Sequence, residues 1–428
     1  MKKMNNNIFP VKIGIIGMGG FARAHHSSVL ELEKKGKVKL ICTCDVFEEN
    51  IKSTGQQFLL HDRNVKIFRN YIDMLDECSN DLDFVCIPTP VHLHAEMHQQ
   101  CIKRSIPVYL EKPPTLDYQQ LLEMMEIDRT IEKKTNVGFN FIIQKERHQI
   151  KQRILSGEFG KVKKITFTGL WPRYASYFKR SNWAGRLMLD NSIVLDSCFG
   201  NALSHFVHNI LFWCGKQGIF SWDPVVKVES ELYRANKIQG TDTVFVKAST
   251  KNVEDIRIAI THACSEKTPD IEKIYCEKAK IFFEGNARCG DGLQVNCSIL
   301  WNNSKEEKIK GNYQNILTDN IDYYTDYITG TKERVLTLLS DTEPFVMLNG
   351  LIYVAAQKIT QIPDSFINIG SESGDTLTVI NDIQKISENF IEKGLFPSEQ
   401  KLPWASKGGC AFNRDIKDLH QIIKKISE

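Results

Sequence analysis

Several things are scarce in this sequence. No apolar run approaches the roughly 18 residues that a membrane-crossing helix needs, so no such helix and no membrane partner are expected. Charge of one sign is not in excess: 55 Lys and Arg face 52 Asp and Glu over 428 residues, a formal net charge of +3. With no long basic stripe either, a nucleic-acid partner or an anionic membrane surface is not expected. Internal repeats, low-complexity tracts and Gly/Ser-rich linkers are lacking, and 42 % apolar with 25 % charged residues excludes collagen, coiled coil and a disordered chain. Met1–Pro10 is rich in Lys and Asn, and no apolar stretch behind it is free of glycine and charge, so a secretory leader is not expected. Twelve cysteines are scattered, and Cys42, Cys44, Cys86 and Cys101 fall inside apolar runs. Buried free thiols in a cytoplasmic protein account for them better than a disulfide framework.

What is present is a chain long enough for two domains or three. The first ~140 residues alternate short apolar strands with amphipathic helices: Val11–Ile16, a helix to Gly36, Val38–Cys44, Asp83–Ile87, a helix about His92–Arg104, Pro107–Leu110, a helix Asp117–Lys133, and Asn136–Phe139. That alternation predicts a doubly wound parallel sheet covered on both faces, an α/β domain over residues 1–138. After Gly160 strands cluster with few helices between them, and Gly290-Asp291-Gly292 reads as a hairpin turn. Residues 139–428 are therefore expected to form an α+β domain on a large, mostly antiparallel open sheet, with one long helix about Asn201–Cys214. Helix is expected again over Asp375–Lys393 and Ile416–Ile426.

The first candidate site is Gly17-Met18-Gly19-Gly20-Phe21-Ala22, between a strand and a helix. Gly17 permits the tight turn, Gly19 lets backbone approach a pyrophosphate, and Ala22 keeps the helix close to the sheet. The Phe21 end of the turn opens the helix, where free N–H groups face the phosphates. Asp45, at the end of the second strand, can accept hydrogen bonds from both hydroxyls of an adenosine ribose. A carboxylate repels a 2′-phosphate, and Val46-Phe47-Glu48-Glu49 brings no arginine to hold one, so NAD is expected rather than NADP. The second candidate is Glu111-Lys112-Pro113-Pro114 at a strand's C-terminal end, where doubly wound sheets bind their ligands. Lys112 there could exchange a proton with a substrate hydroxyl; a surface salt bridge in a turn is the other reading of Glu111-Lys112. The loop Trp171-Pro172-Arg173-Tyr174 through Tyr177, Arg180, Trp183 and Arg186 suits either a sugar ring with hydroxyl or carboxylate groups, or an oligomer interface. His92, His94 and His98 lack a fixed carboxylate or cysteine partner, and no metal is expected.

Gly17-x-Gly19-x-x-Ala22, Asp45, Thr89-Pro90 with His94, Glu111-Lys112-Pro113 and Val137-Gly138-Phe139-Asn140 occur in order. Together they resemble the Gfo/Idh/MocA family of NAD(P)-dependent oxidoreductases, clearly from residue 11 to about 215 and more loosely beyond. The resemblance implies a Rossmann domain and a second domain whose sheet supports a homo-oligomer, a dimer or tetramer. It implies cofactor contacts from Gly17, Gly19, Gly20, Phe21, Ala22, Asp45, Thr89, His94, Glu111, Lys112 and Asn140. The family's Asp-x-x-x-His motif falls on Asn201 and His205, a spacing of four that puts both on one helical face. Asn201 departs from the family's acid, which shifts base work to Lys112 and His205, or to Asp196 as an acid elsewhere. Arg180, Trp183 and Asp196 are the candidate substrate contacts.

The expected activity is NAD-dependent dehydrogenation of a CH–OH group on a sugar, cyclitol or related polyol, with Lys112 as acid/base assisted by His205. Two alternatives stay open: a redox-neutral glycoside lyase or hydrolase that uses NAD transiently, and a non-catalytic NAD- or sugar-sensing regulator of the same fold.

Overall fold

The structure, a computed structural model, describes residues 10–290, 292–372 and 374–428. Residues 1–9 of the Lys/Asn-rich start and Asp291 of the expected hairpin turn lie outside the described residues. By contact the chain forms two compact units: 1–114, 122–143 and 315–340 make the first, and 115–121, 144–314 and 341–428 the second.

In the first unit, β1 (Val11–Ile16), β2 (Val38–Cys44), β3 (Lys66–Phe68), β4 (Phe84–Ile87), β5 (Val108–Leu110) and β6 (Asn136–Val137) form one parallel sheet, in the order β3-β2-β1-β4-β5-β6. The central strands β1, β4 and β5 are short, apolar and almost wholly buried, with helices such as α1 (Ala22–Lys34) and α2 (Glu48–Gln57) between strands in sequence, whereas the edge strand β3 is partly exposed. The order reverses between β1 and β4, and the C-terminal ends of those strands flank the crevice where such sheets take ligands. A helix far along the chain, Ile316–Ile328, completes the core: Leu317, Ile321, Tyr324 and Tyr327 pack with Ile13, Phe84 and Tyr109. The Tyr324 and Phe84 rings meet edge-on at 5.0 Å.

The second unit carries a ten-stranded sheet. Its strands are β7 (Val162–Leu170), β10 (Val225–Arg234), β11 (Thr243–Thr250), β12 (Asp255–Thr261), β13 (Ile271–Cys276), β14 (Ala279–Cys289), β15 (Gly292–Trp301), β16 (Glu306–Tyr313), β17 (Thr360–Gln361) and β20 (Gly409–Phe412). Between them stand the ribbons β8 (Met188–Leu189) with β9 (Ser192–Ile193) and β18 (Ile367–Glu372) with β19 (Asp375–Ile380). Pairing is antiparallel except between β7 and β12 and between β10 and β17. The expected α/β plus mostly antiparallel α+β architecture is therefore what the chain adopts. Helix over Asp375–Lys393 is corrected: Asp375–Ile380 pairs with Ile367–Glu372, and helix begins only at Ile383. The β-branched stretch Thr376-Leu377-Thr378-Val379-Ile380 suits a strand, and that local preference prevailed.

A fully buried ion pair fastens helices to this sheet. Arg147, on the helix Lys145–Leu155, gives Glu272 of β13 two hydrogen bonds at 2.7 and 3.0 Å. Asn209 Nδ2 (2.9 Å) and Trp213 Nε1 of the helix Ser204–Cys214 donate to the same carboxylate. Four donors on one buried acid satisfy its charge, so removing one partner would leave an uncompensated group. The described cysteines are free thiols, and Cys42, Cys44, Cys86 and Cys101 are buried. No helix among the described residues is long and apolar enough to cross a membrane.

Candidate active-site elements

The glycine turn of the first unit is built by its own backbone. Gly17 sits at φ +119°, a conformation costly for any side chain, and its N–H donates to Cys44 O at 2.8 Å. A Cβ on Gly19 would lie 2.4 Å from Asn50 Nδ2, so any side chain there would have to displace Asn50 from Asp45. Asp45 stands at the mouth of the turn: Oδ2 accepts from the N–H of Met18 (2.8 Å) and Gly19 (3.2 Å), and Oδ1 from the N–H of Phe47 (2.9 Å). Asn50 Nδ2 donates to both of its oxygens at 3.2 Å. The amides of Gly20 and Phe21, at the start of α1, meet no acceptor among the described residues, and a Cβ on Gly20 would touch nothing. Open N–H donors at a helix start, with glycine giving close access, fit a dinucleotide pyrophosphate. Arg23, in the first turn of α1, reaches Ser53 Oγ of α2 at 2.9 Å.

Around the ends of β4, β5 and β6 the remaining candidates form a polar cluster. Glu111 is buried: Oε1 lies 3.0 Å from His25 Nε2, and Oε2 accepts the Lys112 N–H at 3.1 Å. His25 meets the Tyr109 ring edge-on at 5.7 Å, and the Tyr109 hydroxyl donates to Asn140 Oδ1 at 2.8 Å. Asn140 O in turn accepts from Asn320 Nδ2 of the distant helix at 3.0 Å. His94 lies between two carbonyls, Pro113 O at 2.9 Å from Nδ1 and Thr89 O at 2.8 Å from Nε2. Those carbonyls favour protons on both nitrogens, yet burial is the larger influence and lowers its pKa. Lys112 is half-buried at the end of β5. His98 meets Thr135 Oγ1 at 2.9 Å.

Sequence reasoning missed His25, His26 and Asn50. His26 Nε2 donates to Gly17 O at 3.2 Å, and burial pulls its pKa down to about 4. Two consecutive histidines on the sheet-facing side of α1, just past the glycine turn, were the available signal.

In the second unit Asn201, Asp196, Arg180 and Trp183 are brought together. Asn201 Nδ2 donates to Asp196 Oδ1 at 2.7 Å, and Asp196 also accepts from the Gly185 N–H (2.7 Å) and from Arg180 Nη2 (3.1 and 3.3 Å). The Arg180 guanidinium stacks on Trp183, 4.6 Å from its ring centre. One expectation needs correction: Asn201 and His205 do not share one α-helical face. Asn201 belongs to a π-helical turn, Cys198–Ala202, whose start is capped by Ser197 Oγ accepting from the Gly200 N–H at 2.9 Å. His205 lies in the first turn of the separate helix Ser204–Cys214, after a break at Leu203. The wider π turn lets Asn201 reach back five residues to Asp196, so the spacing-of-four rule does not apply across the break.

Residues 11–139 match a family described as oxidoreductase family, NAD-binding Rossmann fold. An inositol 2-dehydrogenase of Rhizobium meliloti is 23 % identical over 173 residues, 40 % of this chain and 49 % of that protein. A glucose-6-phosphate 3-dehydrogenase of Bacillus subtilis is 25 % identical over 154 residues, 36 % of this chain and 41 % of the relative. The chain thus spans about half the length of these curated relatives or less. The WlbA dehydrogenase from Bordetella pertussis, solved with NADH and UDP-GlcNAcA, superimposes with a TM-score of 0.64 at 18 % identity, over 81 % of this chain and 97 % of that one. At that identity the likeness establishes the fold.

Proposed function

We propose that the chain, whose residues 11–139 match an oxidoreductase family with an NAD-binding Rossmann fold, is an NAD-dependent dehydrogenase of a sugar, cyclitol or related polyol. The observation that carries the reading is the glycine turn with Asp45 at its mouth and open Gly20 and Phe21 amides beyond it. The turn would hold the pyrophosphate and Asp45 the adenosine ribose, exchanging contacts with Met18 and Gly19 for ribose hydroxyls. Bound nicotinamide supplies the hydride acceptor or donor. Lys112, at the end of β5, takes or returns the hydroxyl proton, and His205 assists as a second proton-transfer or hydrogen-bonding group. Glu111 positions Lys112 through its backbone N–H, and His25 fixes Glu111. Asn201 orients a hydroxyl without adding charge. The named activities of the two curated relatives, on inositol and glucose 6-phosphate, support the substrate class.

The test is absorbance of reduced nicotinamide on mixing the protein and NAD with a panel of sugars and cyclitols. Steady NADH formation is expected. Product without net NADH would replace this reading by a redox-neutral lyase or hydrolase, and neither signal by a sensor. Lys112→Ala is expected to cut turnover by roughly 10²-fold or more while calorimetry shows NAD binding nearly intact. Undiminished turnover would remove Lys112 from its role.

A further inference from the structure

One feature of the second unit remains without a partner. From β7 onward, cations and aromatic rings interleave: Lys267 Nζ lies 4.5 Å from the Trp171 ring centre, and Arg173 lies 5.4 Å from Trp171 and 4.9 Å from Tyr177. Arg180 then lies 3.9 Å from Tyr177 and 4.6 Å from Trp183. The two outer cations are paired, Lys267 with Asp270 at 3.1 Å and Arg180 with Asp196 at 3.1 Å. The middle one is not. No carboxylate of the described residues lies within 4 Å of Arg173, its hydrogen bond to Pro172 O is long at 3.3 Å, and its Nε is buried without an acceptor. Beside it His262, 1 % exposed, donates from Nδ1 to Trp171 O at 2.9 Å and keeps Nε2 without a partner. Burial and the nearby Arg173 keep that ring neutral, so it adds no charge of its own.

The geometry points to Arg173 as a specificity residue that holds an anionic group, carboxylate or phosphate, on the sugar substrate. A guanidinium clamped between two rings keeps its outer N–H donors in one plane, the arrangement that pairs bidentately with a carboxylate or phosphate. The guanidinium's backbone acceptor, Pro172 O, is distant and no carboxylate opposes its charge, so an anion on its outer N–H groups would gain charge-assisted hydrogen bonds. The ladder runs through Arg180 to Asp196 and Asn201, placing the anionic group at the far end of one chain of contacts from the turn before His205. This inference rests on the reading of the second unit as the substrate-binding one.

The experiment is calorimetric titration of the full chain, with and without NAD, using D-glucose, D-glucuronate and D-glucose 6-phosphate. At least one acid is expected to bind tenfold or more tightly than glucose, with the advantage shrinking as NaCl rises, and the better acid identifies the group. R173Q is expected to reduce the advantage below twofold, while R173K, which keeps charge but not the fork, retains part of it. Thermal melts establish that R173Q folds; should it not, R173K and the salt dependence decide. Equal binding of glucose and both acids, no binding of either acid, or an undiminished advantage in R173Q would overturn the assignment. Tight binding of an acid without NADH formation would instead overturn the dehydrogenase reading and leave Arg173 in place.

Discussion

Placing an acid at position 201 by N201D is expected to destabilise this protein, and the geometry says by how much. Asn201 Nδ2 lies 2.7 Å from Asp196 Oδ1, with Asp196 nearly buried at 3 % exposure. A carboxylate at 201 would turn that hydrogen bond into a contact between like charges. At about 3 Å and an effective dielectric constant near 20, the repulsion is roughly 5 kcal/mol. Taking up a proton is the cheaper escape: a carboxyl with an ordinary pKa of about 3.9 costs roughly 4 kcal/mol to protonate at pH 7. Arg180, 3.1 Å from Asp196, offsets part of either cost. The expected penalty is therefore about 2–4 kcal/mol at pH 7. Because the introduced group binds its proton more tightly when folded, the penalty falls by up to about 1.4 kcal/mol per pH unit as pH drops and vanishes near pH 4. Urea unfolding of wild type, N201D and N201A at pH 5, 6, 7 and 8 would measure it. N201A should lose a charge-assisted bond worth about 1.5–3 kcal/mol with no such slope. An N201D protein as stable as wild type at pH 7, or a penalty flat with pH, would refute the contact and the argument built on it.

Asp45→Ala removes the acceptor of two turn amides and the expected partner of the ribose, so NAD affinity should drop about 10–100-fold, the loss of about one charge-assisted hydrogen bond. Preference for NAD over NADP should narrow at the same time, with Arg23 close by on α1; calorimetry with both cofactors would check it, and an unchanged preference would contradict the ribose assignment. Acid should unfold the protein through its buried neutral histidines. His26, pulled down to about 4, and His262, to about 3, take up protons in the unfolded chain near pH 6.5 but not in the folded one. Their contribution is complete above pH 6.5 and is lost as pH falls toward 4 and 3, at roughly 1.4 kcal/mol per pH unit for each. Thermal melts from pH 7 to 4 that stay level would contradict their burial as neutral rings.

The parts legible in the sequence are those whose physics is local. The glycine turn, the buried strands and the strand-end position of Glu111-Lys112 each follow from a few adjacent residues. Partnerships across long separations were not legible: Glu111 meets His25, 86 positions earlier, and Asn140 meets Asn320, 180 positions later. Nothing in the helix Ile316–Ile328 marks it as part of the first unit's core; its apolar face would suit either unit. At Asn201 the residue was picked out but its geometry was not, because helical spacing assumes an uninterrupted α-helix and a π turn intervenes. Trp171 to Trp183 read equally as a substrate loop or an interface, since composition shows rings and cations but not which cation lacks an acid.

The asparagine at 201 follows from what surrounds it. Asp196 already brings a carboxylate to this turn, and its oxygens are engaged by Arg180, the Gly185 N–H and Asn201. A carboxylate so occupied is a poor base, since accepting a proton would break at least one of those contacts. In the proposed reaction that leaves proton transfer to Lys112 and His205, and gives Asp196 the positioning of Arg180 and Asn201 instead. The same engagement neutralises Arg180, so that of the two arginines stacked on Tyr177 it is Arg173 that keeps an unopposed charge. An amide at 201 beside an acid at 196 thus bears on two properties together: which groups are left to move a proton in the proposed reaction, and which cation is left to meet an anion.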